Sequence, residues 1–258
     1  MTLMLNRLGE VNYNNRKGTK MIIIKYNSST DVTVEFQDEF KFKRHTSYAK
    51  FKKGNVGNPY DRTVFDVGYF GVGKYNSKKH KNAYKAWCSM IERCYSKKFQ
   101  DKHKNYINHT VCDEWHNFQN FAEWYEINYY EVPNERIEVE NNILMKGNTE
   151  YCPEYSILSP QRINTLFVKM FNSLDRGDCC IGVTWNKRIG KFISQISYID
   201  KNGNYKRMSK GFNTEEDAFL FYKNFKENYI KQVADEYYDL IPRELWKAMY
   251  EYEIEITD

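Results

Sequence analysis

Residues 137–167 read IEVENNILMKGNTEYCPEYSILSPQRINTLF, and this stretch decides the fold predicted for the middle of the chain. Its first residues alternate between apolar and charged, which is typical of a half-buried strand, and Glu140 ends that run. A Lys-Gly-Asn loop and a Pro-Glu turn follow, and Asn164 lies on a short predicted helix. The stretch therefore predicts a ββα unit with a carboxylate and an amide in it.

Composition limits the classes of protein that the chain can belong to. The 258 residues are 41% hydrophobic and 28% charged, which suits one domain or two to three small ones with their own cores. Apolar runs are far shorter than the roughly eighteen residues of a membrane span, and no secretion signal is present, so we expect a cytoplasmic protein. The six cysteines show no C-x-x-C spacing, which predicts reduced thiols and no structural zinc.

The charge distribution suggests a polyanionic partner more strongly than the net charge of +5 does. Basic residues dominate 41–58, 71–104 and 187–210, whereas acids dominate after 214. Such blocks predict a face that follows the phosphates of double-stranded DNA. The alternative is a set of solvated, lysine-rich surfaces that bind nothing.

Changes in hydrophobic period predict an α+β fold. An apolar run at 21–26 and alternating runs at 31–36 and 40–43 indicate a small, partly open β-barrel, and a Gly- and Lys-rich linker spans 68–81. Helical spacing follows at 84–95 and again around 115–125, with a polar loop at 97–110 between them. Three segments are predicted: a basic β-rich unit (1–67), a helical and ββα domain (82–172) and a sheet-plus-helix domain (178–258).

The C-terminal segment predicts three strands backed by one long helix. Alternation at 181–185, 191–198 and 205–212 indicates the strands, and the Asp-Lys-Asn-Gly-Asn run at 200–204 indicates a hairpin turn. Thr214 precedes three acids, which is typical of a capped helix start. Pro242 is predicted to start a final short helix over 243–250.

This segment resembles the DNA-binding domain of the APETALA/ethylene-response-factor class, which is also appended to phage and mobile-element endonucleases. The resemblance rests on Gly182-Val183, Gly190-Lys191, Asn202-Gly203, Phe212 and the Thr214–Ala218 start of the helix. It implies that the sheet, rather than the helix, lies in the major groove. The implied contacts to bases and phosphates fall on Thr184, Asn186, Lys187, Arg188, Lys191, Phe192, Gln195, Ser197, Lys206 and Arg207. The alternative is that the sheet binds a protein.

Residues 82–167 resemble the nuclease part of phage-type HNH (His-Me finger) homing endonucleases. The carrying motifs are Trp87 with Arg93-Cys94-Tyr95, Val111-Cys112-x-x-Trp115, Phe118-x-x-Phe121 and the 140–167 stretch. Basic N-terminal β units also occur in such proteins. In that role, Lys50, Lys52 and Lys53 would contact the DNA backbone.

The resemblance implies a metal-dependent hydrolytic site that has lost its general base. The family's Asp-His pair falls here on Glu140 and Asn141, its helix ligand falls on Asn164, and Asn148 matches the asparagine that ties the loop. Glu140 and Asn164 would then hold Mg²⁺ or Mn²⁺. Asn141 has no pKa that suits a base.

Two readings remain open from the sequence. His109 and His116 are the best candidate replacements for the base, although packing or surface roles fit each of them too. The first reading is a phage or mobile-element DNA-binding protein with weak or lost nicking activity. The second is a non-catalytic regulator or inhibitor built on a retired nuclease scaffold.

Overall fold

The computed structural model describes residues 7–167, 179–200 and 203–256. Helices and several small sheets follow one another along the chain, so the α+β prediction is confirmed. The chain forms two compact units, one of Met1–Tyr129 with Thr149–Glu154 and the other of Tyr130–Asn148 with Tyr155–Asp258. The division of the chain into three domains at 1–67, 82–172 and 178–258 stays a prediction.

The first unit opens with a four-stranded antiparallel sheet in the order β1-β2-β3-β4. Its inward-facing apolar residues, among them Met21, Val34 and Phe36, close over Phe51 of the helix that follows the sheet. Within the described residues this sheet is open, because β1 pairs with β2 alone and β4 with β3 alone. The bounds are β1 Val11–Tyr13, β2 Lys20–Ser28, β3 Asp31–Phe36, β4 Lys43–Thr46 and helix α1 Tyr48–Lys52.

The strand predicted at 40–43 begins later than expected. Lys41 takes a left-handed φ of 48°, which belongs to a turn, and Phe36 N donates to Phe42 O across that turn. The strand therefore starts at Lys43. The alternation before Lys43 comes from two turn residues, Phe40 and Phe42. The ring of Phe40 contacts Tyr60 and Tyr69, and the ring of Phe42 contacts Tyr60.

Two longer helices form the rest of the first unit. The indole of Trp87 on the first is fully buried and donates to Trp115 O at 2.7 Å. The interval 97–110, which was predicted to be a loop, contains two short helical turns capped in part by Ser96. The bounds are α2 Lys81–Tyr95, α3 Lys97–Gln100, α4 Phe118–Asn128, 3₁₀ turns Lys104–Tyr106 and Asp113–His116, and the paired strands β5 Thr110–Val111 and β7 Glu150–Tyr151.

The predicted linker at 68–81 is packed against helix α4 rather than free. The buried amide of Gln119 accepts from Tyr75 N at 3.0 Å and donates to Phe70 O and Tyr75 O. A β-carbon at Gly73 would lie 2.3 Å from Gln119 Oε1, so the glycine permits this close approach. The Gly-rich composition therefore reflects tight packing, and the linker prediction was wrong.

The second unit contains the ββα segment and the C-terminal module. Strands β6 (Ile137–Glu140) and β8 (Ile157–Pro160) pair antiparallel, and helix α5 (Gln161–Phe167) follows directly. Strands β9 (Val183–Asn186), β10 (Lys191–Ile199) and β11 (Tyr205–Phe212) form a sheet with β10 in the centre. The hairpin turn is closed by Gly203 N donating to Asp200 O, whereas Lys201 and Asn202 lie outside the described residues.

Helices α6 (Glu215–Glu236) and α7 (Arg243–Tyr250) cover this module. Thr214 caps α6 by accepting from Asp217 N, and Pro242 precedes α7, as the sequence predicted. Tyr229, Ile230 and Val233 on α6 form a core with Leu245 and Met249 on α7. Within the described part of the chain, every helix is too short or too polar to cross a membrane.

One glycine fixes how closely the sheet meets helix α6. Gly182 has a φ of +75°, and a β-carbon there would lie 2.2 Å from the ring of Tyr222. Both the conformation and the space exclude any side chain at this position. Val183, the next residue, is fully buried against Ala218 and Phe219.

Candidate nuclease-like segment and nucleic-acid interface

The ββα segment places two carboxylates on one face of a strand. Side chains alternate along β6, so Glu138 and Glu140 share a face while Val139 points into the core with 1% of its surface exposed. Helix α5 begins where β8 ends. The local fold that the sequence predicted for 137–167 is therefore present.

The helix asparagine bonds a different carboxylate from the predicted one. Asn164 Nδ2 donates to Glu138 Oε2 at 2.7 Å, and the other oxygen of Glu138 pairs with Arg136. Glu140 Oε1 instead accepts from Asn142 N at 3.0 Å, in a local turn. The structure therefore brings Asn164 to Glu138, and the metal-ligand pair of Glu140 with Asn164 stays a prediction.

Asn141 lies inside the unit rather than in a reaction site. Only 3% of its surface is exposed, and its Nδ2 has no hydrogen-bond partner among the described residues. Its carbonyl oxygen accepts from Asn148 Nδ2 at 2.6 Å, so Asn148 ties the loop as the resemblance implied. A buried amide facing the core has no access to a water molecule that it would need to activate.

These donors do not fit the predicted metal site. Within residues 7–167, 179–200 and 203–256, no three His, Cys, Asp or Glu side chains are grouped so that they could hold an ion. Glu138 is already neutralised by Arg136, and Asn164 presents its nitrogen, which is a donor, to that carboxylate. Glu138 and Asn164 therefore bond to protein partners rather than presenting free oxygens to an ion.

The two candidate histidines belong to the first unit and have partners there. His116 Nε2 lies 3.1 Å from Val111 O and 3.4 Å from the Tyr95 hydroxyl, and its Nδ1 lies 3.5 Å from Asp113. His109 packs against the rings of Tyr106 and Tyr151. Burial lowers the pKa of both imidazoles. All six cysteines are free thiols, and burial raises the pKa of Cys112 to about 11.

The three-stranded sheet has one face on helix α6 and one face away from it. Ser194 and Ile196 are buried against the helix, so the alternate positions on β10 point outward. The pairing register carries this assignment to the neighbouring strands. The outward residues are Thr184, Asn186, Lys191, Ile193, Gln195, Ser197, Ile199, Tyr205, Arg207, Ser209 and Gly211.

This outer face is polar and cationic. It carries Lys191 and Arg207 and no carboxylate among the described strand residues. Arg207 Nη2 donates to Gln195 Oε1 at 2.7 Å, and the Tyr205 hydroxyl donates to Ser197 Oγ at 2.9 Å. These cross-strand bonds hold long side chains upright on the sheet, where they are exposed to a ligand.

Most of the predicted contact residues lie on this face or at its end, and two do not. Lys187 and Arg188 are exposed in the β9–β10 turn, which is closed by Gly190 N donating to Asn186 O. Phe192 faces the helix side and packs on Trp185 with ring centroids 4.6 Å apart. Lys206 pairs with Tyr198 on the helix side, and its Nζ lies 3.7 Å from Asp200. The register therefore removes both from a groove-facing role.

The three lysines predicted in the first unit lie on or next to helix α1. All are exposed, and Lys52 lies 3.8 Å from Glu10 whereas Lys50 lines a surface cleft together with Arg16 and Arg44. Arg44 falls in the basic block at 41–58, whereas Arg16 lies outside all three basic blocks. Only a contact between distant segments brings these arginines to the same cleft.

No family model, curated protein or solved structure matches this chain.

Proposed function

We propose that this protein binds double-stranded DNA through the outer face of strands β9–β11. The observation that carries the proposal is the composition of that face, which combines Lys191 and Arg207 with Gln195 and lacks carboxylates among its described residues. The protein is then of the phage or mobile-element type and works in the cytoplasm of a bacterial host.

The major groove admits a two-stranded ribbon, and the antiparallel pair β10–β11 of this sheet would supply one. Gln195 and Arg207 have the side chains that read base edges, and their mutual hydrogen bond orients both before binding. Lys187 and Arg188 in the exposed turn are placed to neutralise phosphates at the edge of the groove. In this binding mode, residues on the strands read the base sequence and residues in the turn bind the phosphate backbone.

DNA binding takes precedence over DNA cleavage in this proposal. Asn141 is buried where the family has its base, and Asn164 is bonded to Glu138 rather than paired with Glu140. Hydrolysis of a phosphodiester needs both an activated water and stabilisation of the developing charge. The ββα segment then serves as a scaffold with weak or lost nicking activity.

A protein-binding regulator is the second candidate, and exposed apolar side chains favour it. Trp185, Ile189 and Tyr205 have 44%, 56% and 69% of their surfaces exposed. Aromatic residues of this kind are enriched at protein interfaces. The dependence of binding on salt separates the two candidates, because counterion release dominates only for a polyanion.

The test is duplex affinity measured across a range of salt concentrations for three proteins. We expect affinity to fall steeply with salt for the wild type, and Arg207→Ala to weaken binding by about 1–3 kcal/mol and reduce the salt slope. Lys206→Ala is the matched control, since its side chain lies on the helix side of the same strand beside Asp200.

Two outcomes would contradict the proposal. A salt-independent affinity would point to the protein-binding candidate. Equal losses for Arg207→Ala and Lys206→Ala would show that net charge, rather than the outer face, determines binding.

A further inference from the structure

A cationic cleft lies on the first unit, beside the sheet β1–β4. Its volume is about 410 Å³, and a second depression of about 340 Å³ adjoins it and shares Arg44, Lys50, Asn55 and Gly57. Three cations line the larger cleft, from the turn after β1 (Arg16), from β4 (Arg44) and from α1 (Lys50). Neither the ββα segment nor the outer face of the C-terminal sheet contributes to it.

Two guanidinium groups meet at one glycine. Arg44 Nη1 donates to Gly57 O at 2.8 Å, which fixes the position of that side chain. A β-carbon built on Gly57 would lie 3.5 Å from both Cζ and Nη1 of Arg16, so the second guanidinium lies over the same residue. Like charges that line one cleft repel each other, and a bound anion would relieve that repulsion.

The described residues supply little negative charge to these cations. Arg16, Arg44 and Lys50 form no ion pair within the described part of the chain, whereas most neighbouring basic residues do. The acid in the lining, Asp61, is 4% exposed, and its oxygens accept from Asn14 Nδ2 at 2.8 Å and from Thr19 Oγ1 at 2.5 Å. These bonds from neutral donors hold the turn that carries Arg16, and the single negative charge of Asp61 leaves the three cations of the lining in excess.

We propose that this cleft binds a phosphate group, with Arg16 and Arg44 as its principal ligands and Lys50 as a supporting charge. Guanidinium groups match phosphate oxygens in a bidentate geometry, and such charge-assisted bonds are stronger than neutral ones. The cleft is larger than a phosphate requires, so it also has room for a group attached to the phosphate. Its source is either the backbone of DNA or a free phosphorylated small molecule.

The DNA form of this inference rests on the proposed function, whereas the phosphate site itself does not. The first test is therefore calorimetric titration of the full chain with inorganic pyrophosphate. We expect Arg16→Gln to weaken binding by about tenfold or more, since one charged hydrogen-bond donor is lost. Lys85→Gln is the control, because it removes the same charge from an exposed position on α2.

Gly57 allows a sharper test that does not remove an arginine. Its backbone lies outside the left-handed region, and a β-carbon there meets ordinary contact distances, so the fold should accept Gly57→Glu. The introduced carboxylate would start beside the guanidinium of Arg16, inside the cleft, and would act as a built-in competitor for an anion. We expect Gly57→Glu to abolish pyrophosphate binding and Gly57→Ala to retain it, with circular dichroism showing both folded.

The source of the phosphate follows from the same variants with a short duplex. If it is DNA, Arg16→Gln should lower the slope of log affinity against log salt by about one. If it is a small molecule, pyrophosphate binding is lost while the duplex slope stays unchanged. A third outcome is that the protein binds pyrophosphate, loses that binding with Gly57→Glu, and fails to bind duplex. This result would support the phosphate site in the cleft and contradict the proposed DNA-binding function.

The inference is overturned if the wild type binds neither probe. It is equally overturned if Arg16→Gln and Gly57→Glu bind both probes as tightly as Lys85→Gln does.

Discussion

Asn164 Nδ2 lies 2.7 Å from Glu138 Oε2. The helix of the ββα segment is therefore bonded to strand β6 two residues before Glu140, the carboxylate that the sequence predicted as its partner. Glu138 also pairs with Arg136. A carboxylate shared by a guanidinium and an amide is a structural link between strand β6 and helix α5. Glu140, on the same face, accepts from Asn142 N in a local turn.

This link predicts a specific energetic coupling. In a double-mutant cycle, Glu138→Ala and Asn164→Ala should couple by about 1 kcal/mol in the free energy of unfolding, as expected for a hydrogen bond to a charged group that is partly exposed. Glu140→Ala with Asn164→Ala is the control cycle and should couple by much less. Urea unfolding followed by circular dichroism measures both. A larger coupling through Glu140 would restore the predicted pair.

The same arrangement predicts little or no DNA cleavage. Supercoiled plasmid incubated with the protein and Mg²⁺ or Mn²⁺ should be nicked at or near the background rate, because the residue at the position of the family's base, Asn141, is a buried amide. Glu140→Ala and Glu138→Ala serve as paired variants in the gel assay. Clear nicking that Glu140→Ala abolishes and Glu138→Ala spares would identify Glu140 as a metal ligand.

Gly182 predicts where the C-terminal module is least tolerant of change. Gly182→Ala combines a left-handed backbone with a clash of 2.2 Å against the Tyr222 ring, and should destabilise the module by about 2–4 kcal/mol. Gly190→Ala is the matched control, since its φ is +61° but its β-carbon would meet open space. Thermal unfolding should show the larger loss at Gly182. Similar losses at both would mean that backbone strain alone accounts for the effect.

Local periodicity was enough to predict much of the fold. The cap at Thr214, the strands of the C-terminal sheet and the helix at 81–95 are each encoded within a few neighbouring residues. The segment at 68–81 was misinterpreted because flexible linkers and tightly packed turns are both rich in glycine. Only the contact of Gln119 with Tyr75 distinguishes them, and that contact joins residues 44 positions apart.

In the candidate site too, local sequence patterns do not predict which distant residues come into contact. Alternation along β6 puts Glu138 and Glu140 on one face, but it does not say which of them meets helix α5. Pairing in the sheet similarly decides that Arg207 faces outward and Lys206 faces the helix. Arg16 had no signal at all in the sequence, since its partner across the cleft, Arg44, follows 28 positions later (44 − 16).

Lys226 on helix α6 predicts how stability depends on pH. The side chain is half-buried, and burial lowers its pKa from 10.5 to about 8. Its charged form is therefore less favourable in the folded chain than in the unfolded chain. This penalty is fully present below about pH 8 and disappears as the pH rises through 10.5, above which the amine is neutral in both states.

Lys226→Met should accordingly stabilise the protein by about 1–2 kcal/mol at neutral pH, and the gain should shrink as the pH rises from about 8 towards 10.5. Comparing the variant with the wild type at each pH isolates this lysine from tyrosines and thiols that titrate in the same range. Lys247→Met, at an exposed position on α7, is the control and should give a difference that does not change with pH. A constant difference for Lys226→Met as well would show that its amine reaches solvent in the folded protein.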